Sequence, residues 1–104
     1  MRDNACIAVT NGSEPAYLFR QGSDTYDRLS VPPVDCVNPI GAGDTCAAVM
    51  MHSLVTSETP DVGSAFARGL AAASASCLSV KGADFDLAVA DELVQQVSIT
   101  SVSL

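Results

Sequence analysis

The sequence has few basic residues. It carries 5 Lys and Arg against 12 Asp and Glu, which gives a formal net charge of −7. A surface of this sign repels the phosphate backbone, which disfavours a nucleic-acid partner. It also means that a phosphate group bound here must be held mainly by backbone N–H groups, a metal ion or a few well-placed cations.

Long apolar runs and paired cysteines are missing as well. No stretch approaches the roughly 18 consecutive apolar residues of a membrane span, and the N-terminal sequence lacks the apolar core of a signal peptide. Cys6, Cys36, Cys46 and Cys77 form no Cys-x-x-Cys pair, which argues against zinc-finger and thioredoxin-like motifs. We therefore predict a cytoplasmic protein without membrane contact, in which the cysteines are small core residues.

The sequence does have the composition of a globular domain. Of its 104 residues, 48% are hydrophobic, so the chain as a whole is not intrinsically disordered. This apolar content is high for so short a chain. A piece of a larger fold would show such an excess, because part of its apolar surface would be covered by the rest of the protein.

The residue pattern predicts an α/β domain with about four strands followed by about three helices. Short β-branched runs, separated by Asn-Gly and Gly-Ser-Asp turns, predict strands over 5–12, 15–21 and 25–31 and a short fourth strand over 34–37. From residue 43 the apolar spacing becomes helical, which predicts helices over 43–57, 60–78 and 87–97 and a frayed C-terminus. No internal repeat divides the chain. We interpret 1–104 as one α/β domain or one end of a larger one: 1–37 is strand-rich, 38–57 holds a Gly-Ala-Gly-Asp motif and its helix, and 58–104 holds an Ala-rich helix and the C-terminal helix.

The Gly41-Ala42-Gly43-Asp44 motif is the main candidate site, because it stands between a strand-like segment and a helix. Glycines let an anion approach the backbone, and successive N–H groups at a helix start converge on it. Asp44 could then take the proton from an attacking hydroxyl. Alternatively, Asp44 is only an acid in the first helical turn, and the spacing alone leaves both interpretations open. No Walker A lysine follows, so the motif is not a P-loop.

Three stretches resemble the PfkB/ribokinase family of sugar and nucleoside kinases. "VNPIGAGDTCAAVMM" is similar to its D-T-x-G-A-G-D-x-F signature, and "AVTNGSEPAYL" to its upstream T-x-G-x-x-G turn through Thr10 and Gly12. "AAASASCLSVKGA" resembles the family's Ala-rich helix and the Gly-Ala turn after it. The resemblance implies a ribokinase-like, Rossmann-like three-layer fold, of which this chain covers only the C-terminal, ATP-side third.

The resemblance also implies residue roles. Asp44 corresponds to the catalytic base, while Gly41, Ala42 and Gly43 correspond to the anion hole around the γ-phosphoryl group. Thr10 and Gly12 would contact the phosphates and ribose side of the nucleotide. The Ala-rich helix and Gly82 would line the adenine pocket. ATP with Mg²⁺ is expected as cofactor, and no residue of this chain is assigned as a metal ligand.

Four positions depart from the family pattern: Pro15 replaces the second glycine of the upstream turn, Cys46 replaces the usual Phe, and Asn38 and Ala71 bear on the ligands. Asn38 stands where most members have Asp, which removes a charge near their monovalent cation and weakens the expectation of a K⁺ site. Ala71 stands where a His or Asn commonly reaches towards adenine, so any contact with adenine there would be apolar.

The function that follows from the resemblance is ATP-dependent transfer of the γ-phosphate to a sugar or nucleoside hydroxyl. The family's sugar-binding region has no counterpart here, so we expect the isolated chain to be inactive and to self-associate or pair with a missing N-terminal half. One alternative is a truncated or split kinase remnant that binds nucleotide weakly or only packs with a partner. Another is an unrelated α/β binding domain that uses the motif as a helix cap.

Overall fold

The computed structural model describes residues 5–80 and 85–104. Four strands form one antiparallel sheet, in which neighbours along the chain are also neighbours in the sheet. They are β1 (Cys6–Val9), β2 (Ala16–Arg20), β3 (Thr25–Leu29) and β4 (Ile99–Ser103). The three helices are α1 (Ala42–Thr56), α2 (Val62–Cys77) and α3 (Leu87–Val94). The predicted α/β class and the numbers of strands and helices are therefore confirmed.

The β1–β2 hairpin forms where the sequence predicted it. Gly12 adopts a positive φ of 57° in the turn, and the Glu14 amide donates to the Asn11 carbonyl at 3.0 Å. A positive φ costs glycine little because it has no Cβ. The turn sets a register in which Ile7 lies opposite Phe19, and these apolar side chains share one face of the sheet.

The fourth strand is not the predicted one. Residues 34–37 form no strand, and the segment around them is rich in prolines, which lack the N–H that a sheet ladder requires. Instead, the C-terminal residues that we expected to be frayed pair with β3, so that Ile99 lies opposite Leu29 and Ser103 opposite Thr25. The order of elements is thus three strands, three helices and one strand, and the predicted order is wrong in this respect.

Side chains cap helices α2 and α3. The Asp61 carboxylate accepts from the Ser64 amide at 3.1 Å and from the Ser64 hydroxyl at 2.7 Å. Asp86 accepts from the amides of Ala88 and Val89 at the start of α3. These bonds satisfy amide groups that have no partner within the helix. The predicted helix over 60–78 included Asp61, whereas the structure places this residue immediately before α2.

The helices cover one face of the sheet through a shared apolar core. Ala16, Leu18 and Leu29 of the sheet are buried in one cluster with residues of α1 and α2, namely Cys46, Phe66, Ala67 and Leu70. A second cluster joins α2 to α3 through Ala71, Ala72, Ala75, Ala90 and Leu93. The small side chains on α2 allow both neighbouring helices to pack closely against it.

The opposite face of the sheet is apolar and exposed. Ile7 is 62% exposed and Val9 41%, and both lie on the face that carries Phe19. The Phe19 ring contacts that of Tyr26 with centroids 5.3 Å apart. We call Ile7, Val9, Phe19 and Tyr26 the outer apolar face. Within residues 5–80 and 85–104, no helix covers it.

The burial of the four cysteines tests the prediction that they are small core residues. Cys46 is buried as predicted and Cys77 is half-buried, but Cys6 and Cys36 are exposed, so the prediction of core cysteines is wrong for these two. Both exposed residues lie outside the helix–sheet core, on β1 and on the proline-rich segment.

No helix in the described part of the chain is long and apolar enough to cross a membrane.

Candidate functional site

The start of α1 is shaped by a glycine in a left-handed conformation. Gly41, immediately before the helix, has φ 83° and ψ 0°. Its carbonyl accepts from the Thr45 amide at 2.9 Å, and the Ala42 amide donates back to Pro39 at 3.2 Å. Among the described residues, the amides of Gly43 and Asp44 have no hydrogen-bond partner. Two unpaired N–H groups at the positive end of a 15-residue helix form a binding site suited to an anion.

A cavity of about 670 Å³ lies beside this helix start. Its size falls within the roughly 300–1,000 Å³ that is typical of small-molecule sites. Four parts of the chain line it: the β1–β2 turn, the proline-rich segment 31–39, the first turn of α1 and one face of α2. We call it the main cavity. It brings together Thr10, Gly12, Ala42 and Gly43, which were all predicted as site residues.

Gly43 has no side chain to fill the space beside it in the main cavity. A Cβ placed on Gly43 would meet no atom within 4 Å, so protein packing does not require glycine at this position. The residue nevertheless lines the cavity and carries one of the two unpaired amides. A side chain there would occupy the space through which an anion approaches the helix start. The local geometry therefore fits a phosphate group.

The rest of the main cavity is nearly uncharged. Asp35 is the one charged side chain among the described residues that line it. Burial raises the pKa of the Cys46 thiol, which also lines the cavity, to about 11, so this group is neutral and effectively apolar at physiological pH. Within residues 5–80 and 85–104, no cluster of three or more His, Cys, Asp or Glu side chains could hold a metal ion. The described donors to a bound phosphate are thus backbone amides and the hydroxyl groups of Thr10, Ser13 and Ser74, with no basic side chain among them.

Asn38 holds the segment before the motif in place. Its side-chain oxygen accepts from the Ile40 amide at 3.0 Å, and its side-chain nitrogen donates to the Val80 carbonyl at 3.1 Å. The amides of Val37 and Asn38 both donate to the Cys77 carbonyl at the end of α2. An aspartate at position 38 could accept from Ile40 but could not donate to Val80. The asparagine therefore has a positioning role that the sequence alone did not indicate.

Among the other predicted site residues, those that the structure describes lie outside the lining of the main cavity. Gly41 shapes the turn without lining the cavity, and Asp44 is exposed on α1, on the first helical turn but outside the lining. Gly82 is outside the residues that the structure describes. Ala71 is buried in the contact between α2 and α3 rather than in the main cavity, so the apolar adenine contact inferred for it is wrong.

Sequence reasoning did not single out the residues of α2 that line the cavity. They are Leu70, Ala73, Ser74 and Cys77, which are spaced at i, i+3, i+4 and i+7 and so form one helical face. That spacing could have identified them. It was hidden because the Ala-rich sequence is apolar on both sides, so hydrophobicity did not show which side faces α3 and which faces the cavity.

A comparison with models of protein families identifies the chain. Residues 3–88 match the model described as pfkB family carbohydrate kinase. The chain belongs to this family. The match covers most of the sequence, including the hairpin turn, the Gly41–Asp44 motif and α2, and it rules out the interpretation as an unrelated α/β domain. No curated protein sequence matched.

Solved structures of kinases share the fold. A structure titled as a putative phosphofructokinase from Staphylococcus aureus matches 94% of this PfkB-family chain with a TM-score of 0.76 and 19% identity. A structure of Arabidopsis thaliana ribokinase complexed with ribose and ATP matches 86% of it with a TM-score of 0.72 and 26% identity. Phosphofructokinase-2 from Escherichia coli in complex with potassium matches 88% with a TM-score of 0.75 and 21% identity. The chain spans only 30%, 29% and 28% of these three proteins, respectively.

Proposed function

We propose that this chain forms the ATP-side part of a sugar kinase active site, in which the γ-phosphate of ATP is transferred to a hydroxyl of a sugar or nucleoside. One observation carries the proposal: Gly43, whose amide is unpaired like that of the adjacent Asp44, lines a cavity that Thr10 and Gly12 also line. Phosphoryl transfer depends mainly on positioning and on stabilising charge spread over the phosphoryl oxygens. Backbone amides at a helix start supply that stabilisation without a basic side chain.

The main cavity provides a matching place for the nucleotide. Its α2 face and proline-rich side are mostly apolar, which suits a planar base, and the start of α1 also lines it, which suits the phosphates. Thr10 and Gly12, on the hairpin turn, would contact the phosphates and ribose side. The related ribokinase structure was obtained with ribose and ATP, which supports the same ligand classes for this chain.

Asp44 is proposed as the base on the acceptor side. Successive helical residues are rotated by about 100°, so a residue next to Gly43 on α1 points in a different direction. Asp44 is accordingly exposed and outside the cavity lining, whereas Ala42 and Gly43 line it. A hydroxyl could therefore approach from outside the cavity while the phosphate donor occupies it, which leaves the carboxylate free to accept the hydroxyl proton.

Two kinds of metal ion are proposed for the site, Mg²⁺ bound with ATP and a monovalent cation. Mg²⁺ would neutralise charge on the phosphates of ATP, and the ions would be held by the phosphates rather than by a side-chain cluster of the described residues. A monovalent cation is a weaker proposal. A related phosphofructokinase structure contains potassium, but here the Asn38 side chain is engaged by Ile40 and Val80 and brings no negative charge.

The phosphate assignment can be tested on the chain as it is. Gly43→Val should weaken ATP binding by about tenfold or more, because the side chain would enter the empty space beside the amides. Ala47→Val is the matched control, since Ala47 is exposed on the same helix outside the main cavity. Calorimetric titration with ATP and with adenosine would check this. Equal ATP affinity for Gly43→Val and Ala47→Val would contradict the assignment.

The base assignment needs a complete kinase, made by joining this chain to the sugar-binding region of a family member. Asp44→Asn keeps the shape of the side chain but cannot accept the proton. We expect kcat to fall by about 10²-fold or more, with little change in ATP affinity. If Asp44 is only an acid in the first turn, Asn would preserve activity and change stability by less than about 1 kcal/mol. A kcat near that of the parent chimera would reject the catalytic role.

A second candidate is a non-catalytic remnant that packs with a partner. The outer apolar face favours it, because contiguous exposed apolar surface marks an interaction site. The same face would be covered by the remainder of a larger kinase. The chimera distinguishes the two candidates: the remnant should bind a partner yet show no ATP-dependent phosphorylation even when the sugar-binding region is supplied.

A further inference from the structure

Cys36 and Cys77 are brought together by the backbone. The amide of Val37, which is bonded directly to the Cys36 carbonyl carbon, donates to the Cys77 carbonyl at 2.6 Å. The Asn38 amide donates to the same carbonyl at 3.0 Å. The two cysteines are 41 positions apart in the sequence, yet the residues that follow Cys36 are joined to Cys77 by two backbone hydrogen bonds. The Cys36 and Cys77 thiols lie within hydrogen-bonding reach of each other.

Their side chains face the same space. Both residues line the main cavity, Cys36 from the proline-rich segment and Cys77 from the last turn of α2. Cys36 is exposed and Cys77 is half-buried. The pKa of Cys77 is raised to about 11, mainly by burial and to a smaller extent by the neighbouring Cys36 thiol. The exposed thiol would therefore meet an oxidant first, and the partly buried one is positioned to react with it next.

We propose that Cys36 and Cys77 form an oxidisable pair that closes to a disulfide across one side of the main cavity. With a peroxide as oxidant, the Cys36 sulfur attacks the O–O bond, giving a sulfenic acid and one molecule of water or alcohol. The Cys77 sulfur then attacks the sulfenic sulfur, the S–S bond forms, and water leaves with the Cys77 proton. Two thiols are oxidised by two electrons, and one peroxide is reduced.

The bond would tie together two walls of the cavity. It would fix the segment before the Gly41–Asp44 motif to the end of α2, alongside the hydrogen bonds that Asn38 already makes there. A cross-link between positions so far apart in sequence also restricts the unfolded chain. The oxidised protein should therefore unfold at a higher temperature than the reduced protein. This inference concerns the thiols themselves and holds whether or not the cavity binds a nucleotide.

Oxidation of the whole chain tests the pair. We would treat the folded protein with a small excess of hydrogen peroxide, block the remaining thiols by alkylation, and map the peptides by mass spectrometry. We expect two of the four cysteines to become unavailable, one Cys36–Cys77 cross-linked peptide, and full recovery of thiols with dithiothreitol. Cys6→Ser, which removes the other exposed cysteine, should give the same cross-link and the same rise in thermal midpoint.

The variants Cys36→Ser and Cys77→Ser should lose both the cross-link and the rise in midpoint. The peptide map of the wild-type protein remains decisive even if a variant fails to fold. A map dominated by a pair that includes Cys6 or Cys46 would overturn the proposal. So would over-oxidation of Cys36 to the sulfinic acid while Cys77 stays a free thiol. Oxidation in denaturant is the control for proximity, because the unfolded chain should form cross-links between several different pairs of cysteines. If Cys36–Cys77 remained the preferred pair in denaturant, the fold would not be what brings the two thiols together.

Discussion

Gly69 of α2 packs directly against the backbone of Cys46 in α1. A Cβ on Gly69 would lie 2.6 Å from the Cys46 carbonyl oxygen and 3.0 Å from its sulfur, closer than side chains pack in proteins. Since the nearest atom belongs to the backbone, a small rotamer change could not relieve the contact. This glycine therefore sets the distance between the helix that begins at the Gly41–Asp44 motif and the helix that lines the main cavity.

We expect Gly69→Ala to destabilise the fold by about 1–3 kcal/mol, because the added methyl group forces the two helices apart. A loss of stability would be informative, because helix propensity alone predicts the opposite: alanine stabilises a helix over glycine by about 1 kcal/mol. Gly63→Ala is the matched control on the same helix: its Cβ would meet only side-chain atoms, the nearest at 3.5 Å from Arg20, so stability should be equal or slightly higher. Urea unfolding measures both. A Gly69→Ala protein as stable as Gly63→Ala would contradict this account of the packing.

The two glycines of the candidate site should respond differently to alanine. Gly41 has φ 83°, where a Cβ costs about 1–2 kcal/mol, so Gly41→Ala should be destabilising by that amount. Gly43 is helical with open space around it, so Gly43→Ala should be neutral or stabilising by up to about 1 kcal/mol. Thermal unfolding of both variants, followed by circular dichroism, would check the contrast. Equal effects would mean that the left-handed turn is not maintained in solution.

The Asp61 cap should give α2 a pH-dependent stability. Hydrogen bonds from the Ser64 hydroxyl and then from its amide lower the pKa of Asp61 below its usual value of 3.8. The carboxylate thus stabilises the fold fully above that value, and this contribution is lost as the pH falls through the lower folded-state pKa.

At neutral pH, Asp61→Ala should cost about 1 kcal/mol, and the gap to wild type should shrink as the pH falls below 3.8. Asp61→Asn should stay close to wild type at neutral pH, because an amide oxygen also caps a helix. Urea unfolding from neutral to acidic pH measures both differences. A gap for Asp61→Ala that stays constant on acidification would show that the cap does not depend on the charge.

The outer apolar face should drive self-association of the isolated chain. Replacing Ile7 and Phe19 together by Thr removes apolar surface while retaining residues that favour strands. We expect the double variant to sediment as a smaller species than the wild type at the same concentration. Val55→Thr is the control, since Val55 is 74% exposed near the end of α1 and away from the sheet. If Val55→Thr reduces association as much as the double variant does, the sheet face is not the contact.

Features that depend on local sequence were predictable. The change to helical spacing predicted α1 to within a residue at each end, and the predicted start of α2 at residue 60 lies two positions before the observed one. The Gly41–Asp44 motif indicated a candidate anion site through residue type, because glycines before a helix let an anion approach the backbone amides. The motif, the hairpin turn and the Ala-rich helix also pointed to the family that the comparison confirmed.

Features that depend on contacts between distant residues appeared only in the tertiary structure. Residues 99–103 form a strand because they pair with the free edge of β3. Local strand propensity cannot predict pairing with so distant a segment. The face of α2 that lines the cavity, the approach of Gly69 to Cys46 and the meeting of Cys36 with Cys77 likewise depend on packing between segments at least 23 positions apart. The sequence thus determined which groups are present and how each helix begins. The tertiary structure decided which of them share a cavity, because this depends on how helices and strands pack rather than on the residues next to them.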